Sequence, residues 1–201
     1  MIHELGHILV GCTLSWKIKK IKILPFGGIT IFENPINIPL KQEFLVSISG
    51  VMFQTLGSFI LSKFYDKTLF INIHYTLLIF NLLPIFPLDG SKIWNVFFNY
   101  FLSFKKSHIC SIIISSCFLF LLVISLKSFS SLLIFFFLIR TEITEIKNHK
   151  VYFYKFLLER YMYSFDYSKI LYIHNIEQMR KEYYHYIRFQ SEKTFLKKLF
   201  E

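Results

Sequence analysis

Three stretches of this 201-residue chain run without a single Asp, Glu, Lys or Arg: residues 44–62, 68–88 and 107–126, of 19, 21 and 20 residues. At ~1.5 Å of rise per helical residue, each is long enough to cross a hydrocarbon core of ~30 Å. Backbone groups in hydrocarbon must be satisfied within the segment, so such stretches fold as helices. A fourth apolar stretch, 128–140, is shorter and would cross only when paired closely with a neighbour, with Glu142 and Lys147 at an interface. Charged residues make up 18% of the chain, against a usual soluble share of ~25%. The sequence reads as a polytopic integral membrane protein.

The formal charge of +10 is distributed by loop. Lys17, Lys19, Lys20 and Lys22 follow residues 1–16, Lys92, Lys105 and Lys106 follow the stretch 68–88, and Arg140 starts a basic tail; the alternate loops hold only Lys63, Lys67 and Lys127. By the positive-inside rule the segments after residues 16, 90 and 140 face the cytoplasm. The excess is therefore topology, with attraction to anionic lipid secondary. No basic-aromatic motif points to nucleic acid. Cys12, Cys110 and Cys117 form no CxxC and read as packing residues. The opening lacks the basic n-region and cleavage site of a signal peptide.

Residues 1–16 read as a short apolar helix interrupted by a polar HELGH face. Two β-branched runs around Pro25, Phe26, Gly27 and Gly28 read as a β-hairpin over 17–33. A Pro/Asn loop leads to the span at 44–62, and a short loop around Tyr65 leads to the span at 68–88. The aromatic stretch "IWNVFFNYFLSF" reads as an interfacial or re-entrant helix. The two remaining spans, 107–126 and 128–140, close a core of 1–140. The tail, 141–201, has dense charge and many tyrosines. Within it "YSKILYIHNI" is strand-like, "EQMRKEYYHY" helical, "IRF" strand-like and "SEKTFLKKLF" helical with Ser191 as N-cap. It is a small cytoplasmic α/β module that needs the membrane part or a second copy to bury enough surface.

On a helix, His3 and His7 are i and i+4, so both imidazoles leave one face and can share a cation. Glu4 lies beside them, placed to take a proton from a metal-activated water. A hydrolytic zinc needs three protein ligands and an open position. Asp89, in "FNLLPIFPLDGSKI", is the carboxylate at the end of a hydrophobic span, where ionisation is costly unless paired or bound to a cation. Each feature alone has an ordinary reading, HELGH as coincidence and Asp89-Gly90 as a turn. Together they stand just before cytoplasmic loops and so at one membrane depth.

HELGH at 3–7, "LLPIFPLDG" at 82–90 and Asn81 eight residues before Asp89 resemble the site-2 protease family of intramembrane metalloproteases, and are similar to its stage IV sporulation protein FB-like branch. "KIKILPFGGITIFE" resembles the membrane-associated hairpin of that group, and the likeness covers essentially the whole chain, weakly in its last 50 residues. The resemblance implies an all-α membrane bundle with a β-hairpin and a small cytoplasmic α/β tail, in a bacterial cell membrane. It implies one zinc per chain held by His3, His7 and Asp89, with Glu4 as general base and Asn81 holding the substrate backbone or the oxyanion. The hairpin around Gly27 and Gly28 would add an extended substrate as a strand. The implied activity is endoproteolysis of a membrane-associated protein such as a pro-sigma factor, under regulatory membrane proteins. The family's tail resembles a CBS nucleotide-binding module, and this one has the length of half of one.

The chain departs from the family in two places. "SGVMFQ" at 49–54 carries Val51 and Gln54 where the family has proline and asparagine, so packing beside the site should differ. Only Met1 and Ile2 precede His3, where the family has an apolar segment and further helical turns. A helix beginning at Met1 would leave its first N–H groups unpaired and a charged amine beside the metal. From this the expectation is a start codon lying upstream, a shortened gene or a degenerate protein. The 201-residue form would then show little proteolysis, and the rival reading is an inactive membrane adaptor derived from such a protease.

Overall fold

The structure, a computed structural model, describes residues 2–24, 27–61, 67–125, 128–163, 165 and 167–201. Met1, the Pro25-Phe26 turn, Tyr65, Lys63 and Lys127 lie outside these. Seven α-helices and five short strands are seen among the described residues. The opening helix α1 covers Ile2–Thr13, and the hairpin is β1, Ile18–Leu24, antiparallel to β2, Gly27–Phe32, with a bulge between Ile18 and Lys20. Helices α2, Leu40–Leu61, α3, Lys67–Leu82, α4, Asp89–Phe101, and α5, Phe104–Leu122, follow, then the long α6, Phe129–Met162.

These helices are packed inside out. On α5 the buried residues include Ser107, Ser111 and Ser115, four residues apart, while Ile113, Phe120 and Leu121 face outward. On α2 the buried set includes Ser47, Ser49 and Gly50, while Met52, Leu56 and Phe59 are exposed. Small and polar residues at helix contacts with large apolar ones outside is the pattern of helices surrounded by lipid. Among the described residues α2 and α5 are long and apolar enough to cross a membrane.

Four expectations need correction. The helix expected over 68–88 ends at Leu82, and residues 83–88 form a tight turn. Pro84 lacks an N–H and drives Leu83 out of helical conformation, so apolar character continues where helix cannot. The stretch "EQMRKEYYHY" is not helical: a 3-10 turn at Ile176–Gln178 gives way to strand β4, Tyr183–Ile187. Glu182 sits at φ 60, which ends any helix, and the following tyrosines suit a strand. Of "IRF", Ile187 ends β4 and the other two residues form the turn after it, with Arg188 and Phe189 at φ 49 and 66. The three cysteines are free, and Cys12 and Cys117 lie at the surface instead of in packing positions.

The helix α6 runs unbroken across residue 140 for 34 residues, about 51 Å at 1.5 Å each. Beyond it β3, Lys169–Ile173, pairs parallel with β4, and β4 pairs antiparallel with β5, Gln190–Ser191. The last helix, α7, covers Glu192–Phe200, with Ser191 accepting from the Thr194 N–H. The tail's apolar cluster of Phe156, Leu157, Met179, Ile187 and Leu196 takes in Phe104 from α5, whose ring stacks on Phe156 at 4.3 Å. The tail thus completes its core with the helical bundle.

Polar contacts tie the two parts further. Residues 179–182 cap three helices of the bundle: Phe104 N–H donates to Met179 O, Arg180 donates to Tyr100 O, and Leu40 N–H donates to Glu182 Oε1. Lys181, almost wholly buried, pairs with Glu43 in the first turn of α2 at 2.6 Å. The Arg160 guanidinium is held between the Phe156 and Tyr167 rings and donates to both Glu192 oxygens, at 2.9 and 3.1 Å, and to Asn37 Oδ1. His185 Nδ1 lies 3.0 Å from Glu192 Oε2, and its Nε2 accepts from Arg180 N–H. That pair of contacts fixes a neutral imidazole.

Burial pushes the His185 imidazole below its ordinary value and Arg160 adds to this, against the pull of Glu192. Burial pushes the Glu192 carboxyl up, but the hydrogen bond from His185 and the Arg160 charge outweigh it and hold the carboxyl below the usual range. Both groups bind protons less readily folded than unfolded, so both lose stability on acidification. The His185 share is complete above about pH 6.5 and lost below it, and the Glu192 share starts to fall only near about pH 4.3. Amide exchange of residues 185–187, corrected for its intrinsic rate, should therefore quicken between pH 7.5 and 5.5. His185→Gln should remove that dependence; a wild type flat over this range would contradict it.

Candidate metal centre

The centre forms where α1 lies against α2. A Cβ on Gly6 would stand 2.6 Å from Ser49 O and 2.8 Å from Phe53 Cβ, and one on Gly50 would stand 2.3 Å from His7 Nε2. These glycines let the two helices approach closely enough for α2 to serve the histidines of α1. Asp89 enters from the first residue of α4, directly after the 83–88 turn.

His3, His7 and Asp89 converge, each offering one atom within 4.8 Å of the others. His3 Nε2 is 2.8 Å from Asp89 Oδ2, His7 Nε2 is 2.9 Å from the same oxygen, and the two nitrogens are 3.2 Å apart. The outer nitrogens settle the tautomers. His7 Nδ1 meets Val46 O at 2.7 Å, and His3 Nδ1 meets Gln54 Oε1 at 3.1 Å. Both partners can only accept, so both Nδ1 atoms carry the proton and both Nε2 atoms present lone pairs. Three acceptors facing one another at this range repel unless a proton or a cation stands among them.

The donor set fits zinc. Two imidazole nitrogens and a carboxylate oxygen are its ordinary ligands, and ligands at ~2.0–2.2 Å on a tetrahedral ion stand ~3.3–3.5 Å apart. The observed triangle is slightly contracted from that. The Nδ1–H bonds to Val46 and Gln54 are the outer contacts that orient ligating histidines. Lys92 Nζ donates to the other Asp89 oxygen, Oδ1, at 3.0 Å, leaving Oδ2 to the cluster.

Glu4 stands beside the cluster, not in it. Its Oε2 accepts from Thr30 Oγ on β2 at 3.0 Å. A Cβ on Gly28 would lie 2.9 Å from Glu4 Cγ, so the absence of a side chain there lets β2 close on α1. Gly27 pairs with Leu24 in the hairpin. Asn81, on the last turn of α3, lines the wall of the same cavity and does not join the donor cluster. That cavity, of about 800 Å³, contains the cluster and Glu4 and reaches Lys181 of the tail. The sequence assigned Thr30 and Lys92 no role at the centre and marked Gln54 only as a departure from the family beside the site. Lys92 alone had a local signal, a cation three residues after Asp89 on a helix.

A helical bundle of lipid-facing surfaces, with two helix-borne histidines, a glutamate and a distant aspartate at one point, defines the class of membrane metalloproteases. Comparison with known proteins agrees. Stage IV sporulation protein FB of Bacillus subtilis is 37% identical over 175 residues, which are 80% of this chain and 60% of that protein. A zinc metalloprotease of Methanocaldococcus jannaschii is 35% identical over 108 residues, 46% of this chain and 30% of that one. The solved structure of the site-2 protease from Methanocaldococcus jannaschii superposes with a TM-score of 0.55 at 26% identity, covering 72% of each chain. No protein-family model matches. The chain belongs to the site-2 protease family. It spans less than two thirds of the length of both curated relatives.

Because His3 is oriented by one side chain, Gln54→Leu should weaken metal binding by about 10–100-fold, the usual loss for an outer contact of this kind. Competition against a chromophoric chelator measures it. An unchanged affinity would show that His3 is held without Gln54.

Proposed function

We propose that this protein is an intramembrane zinc endopeptidase whose metal ligands are His3, His7 and Asp89 and whose general base is Glu4. The observation that carries the reading is the convergence of three lone-pair donors beside a carboxylate that is not one of them. A zinc ion held there would acidify a water and polarise the scissile carbonyl. Every other task falls to the chain. Thr30 occupies Glu4 Oε2, which leaves Oε1 to take the proton of the water and pass it to the leaving amine. Lys92 neutralises part of the Asp89 charge from the side away from the cluster.

The substrate is a membrane-tethered or membrane-associated protein, such as a precursor of a sigma factor. Among the described residues β2 is hydrogen-bonded only to β1, so its other edge is open to an added strand beside Glu4. Gly27 and Gly28 would admit the substrate backbone closely, and Asn81 on the cavity wall would hold a substrate carbonyl or the oxyanion. In this reading the chain crosses a bacterial membrane several times, with 141–201 in the cytoplasm as a half CBS-like module. Regulatory membrane proteins are further partners.

Glu4→Gln should keep its metal and lose cleavage of a membrane-tethered reporter, by about 100-fold or more, since the amide cannot accept the proton. The assay compares metal content and cleavage on the same preparation, alongside His3→Ala/His7→Ala, which should lose the metal as well. Residual cleavage near wild type, or cleavage that survives a chelator, would place the chemistry elsewhere. Retained metal with no cleavage by the wild type of any membrane-tethered substrate would favour an adaptor.

A further inference from the structure

We infer that Ser115 of α5 and Glu142 of α6, on two helices that give no donor to the centre, are positioning residues for Asp89. The inference rests on reading His3, His7 and Asp89 as a metal centre. Asp89 is the first residue of α4, so its aim is set by the turn that precedes it. That turn, 83–88, contains two prolines and makes few bonds of its own, Ile85 N–H to Leu83 O and Leu88 N–H to Ile85 O, each at 2.8 Å. On one side it cannot relax. A Cβ on Gly90 would stand 2.2 Å from Leu82 O and 2.3 Å from Leu83 O, so the start of α4 is already pressed on the end of α3.

On the other side it is held by side chains. The Phe86 N–H donates to Ser115 Oγ at 3.1 Å. Ser115 Oγ has one proton and donates it to Glu142 Oε2, while Ser116 Oγ donates to Glu142 Oε1 at 3.0 Å. The order is fixed at each step, from amide to hydroxyl to carboxylate. Ser115 has no exposed surface and Glu142 only 5%, so water does not replace these bonds. The Phe86 carbonyl lies 3.0 Å from Thr141 Oγ, but that hydroxyl proton has two other acceptors, Leu138 O at 2.8 Å and Phe137 O at 3.3 Å. Ser115 is thus the firmer hold on the Phe86 peptide, three residues before the ligand.

A serine that served only helix packing would behave differently. Ser111, on the same buried face of α5, bonds among the described residues only to Ser107 O of its own helix. It supplies the control. Full-length protein in lipid nanodiscs is titrated with cobalt(II), reading both affinity and the d–d absorption spectrum. Ser115→Ala should weaken cobalt binding about 10-fold, the lower end for contacts that orient ligands, and alter the spectrum. Ser111→Ala should leave both at wild-type values. Glu142→Leu removes the acceptor that orients Ser115. It should reproduce the loss, and the double variant should lose no more than either single one because the two act as one chain. Glu142→Leu alone decides the matter if Ser115→Ala does not accumulate. Wild-type affinity and spectrum in Ser115→Ala or Glu142→Leu would overturn the inference and leave the metal centre standing. A wild type that takes up no cobalt would overturn the centre and this inference with it.

Discussion

The close approach of α1 to α2 governs the architecture around the centre. Two missing side chains, at Gly6 and Gly50, create it. With the helices in contact, the Val46 carbonyl and the Gln54 amide on α2 come within hydrogen-bond reach of the two histidines of α1. The His7 ring can reach the Val46 carbonyl because Gly50 carries no side chain where the ring lies. A third missing side chain, at Gly28, lets the hairpin press Thr30 onto Glu4. A small-residue seam thus sets the tautomers of the two histidines as well as the packing of the helices.

The packing explains why a centre of this kind can sit among such apolar residues. In a soluble protein the polar faces of helices meet water. Here Ser47, Ser49, His7, Ser107 and Ser115 are buried, and many of the leucines and phenylalanines face out. An inward polar group then turns to its own helix, as Ser47 and Ser111 do, or finds its partner across a helix contact. The hydrogen bonds that result, between α1 and α2 and among α5, α6 and the 83–88 turn, are specific pairings that a wholly apolar interface would not supply.

Much of the centre was legible because its signals are local. The i, i+4 spacing of His3 and His7 needs only a helix, and a carboxylate at the end of an apolar stretch is conspicuous by its cost. The hairpin was legible from β-branched runs around Gly27 and Gly28. What failed to show had competing or distant causes. Apolar character continues through Pro84 and Pro87, so hydropathy alone carried a helix six residues past Leu82. In "EQMRKEYYHY" the charged half suits a helix and the tyrosine half a strand, and pairing with β3 decides for the strand. Gln54, Thr30 and Ser115 gain their roles from partners 51, 26 and 29 residues away, which no spacing rule reaches.

Residues 179–182 make the tail a keystone of the bundle. Four consecutive residues close the ends of α2, α4 and α5, whose terminal N–H and C=O groups have no partner within their own helices. Removing a keystone disturbs the arch, not the place where the stone was quarried. A cut or deletion in the tail would therefore fray the first turn of α2 around Leu40 and Glu43. That turn lies one to two turns from Val46 and Gly50, the residues that hold His7 in place. The order of a ligand borne by the opening helix is in this way mortgaged to a loop some 170 residues further along the chain.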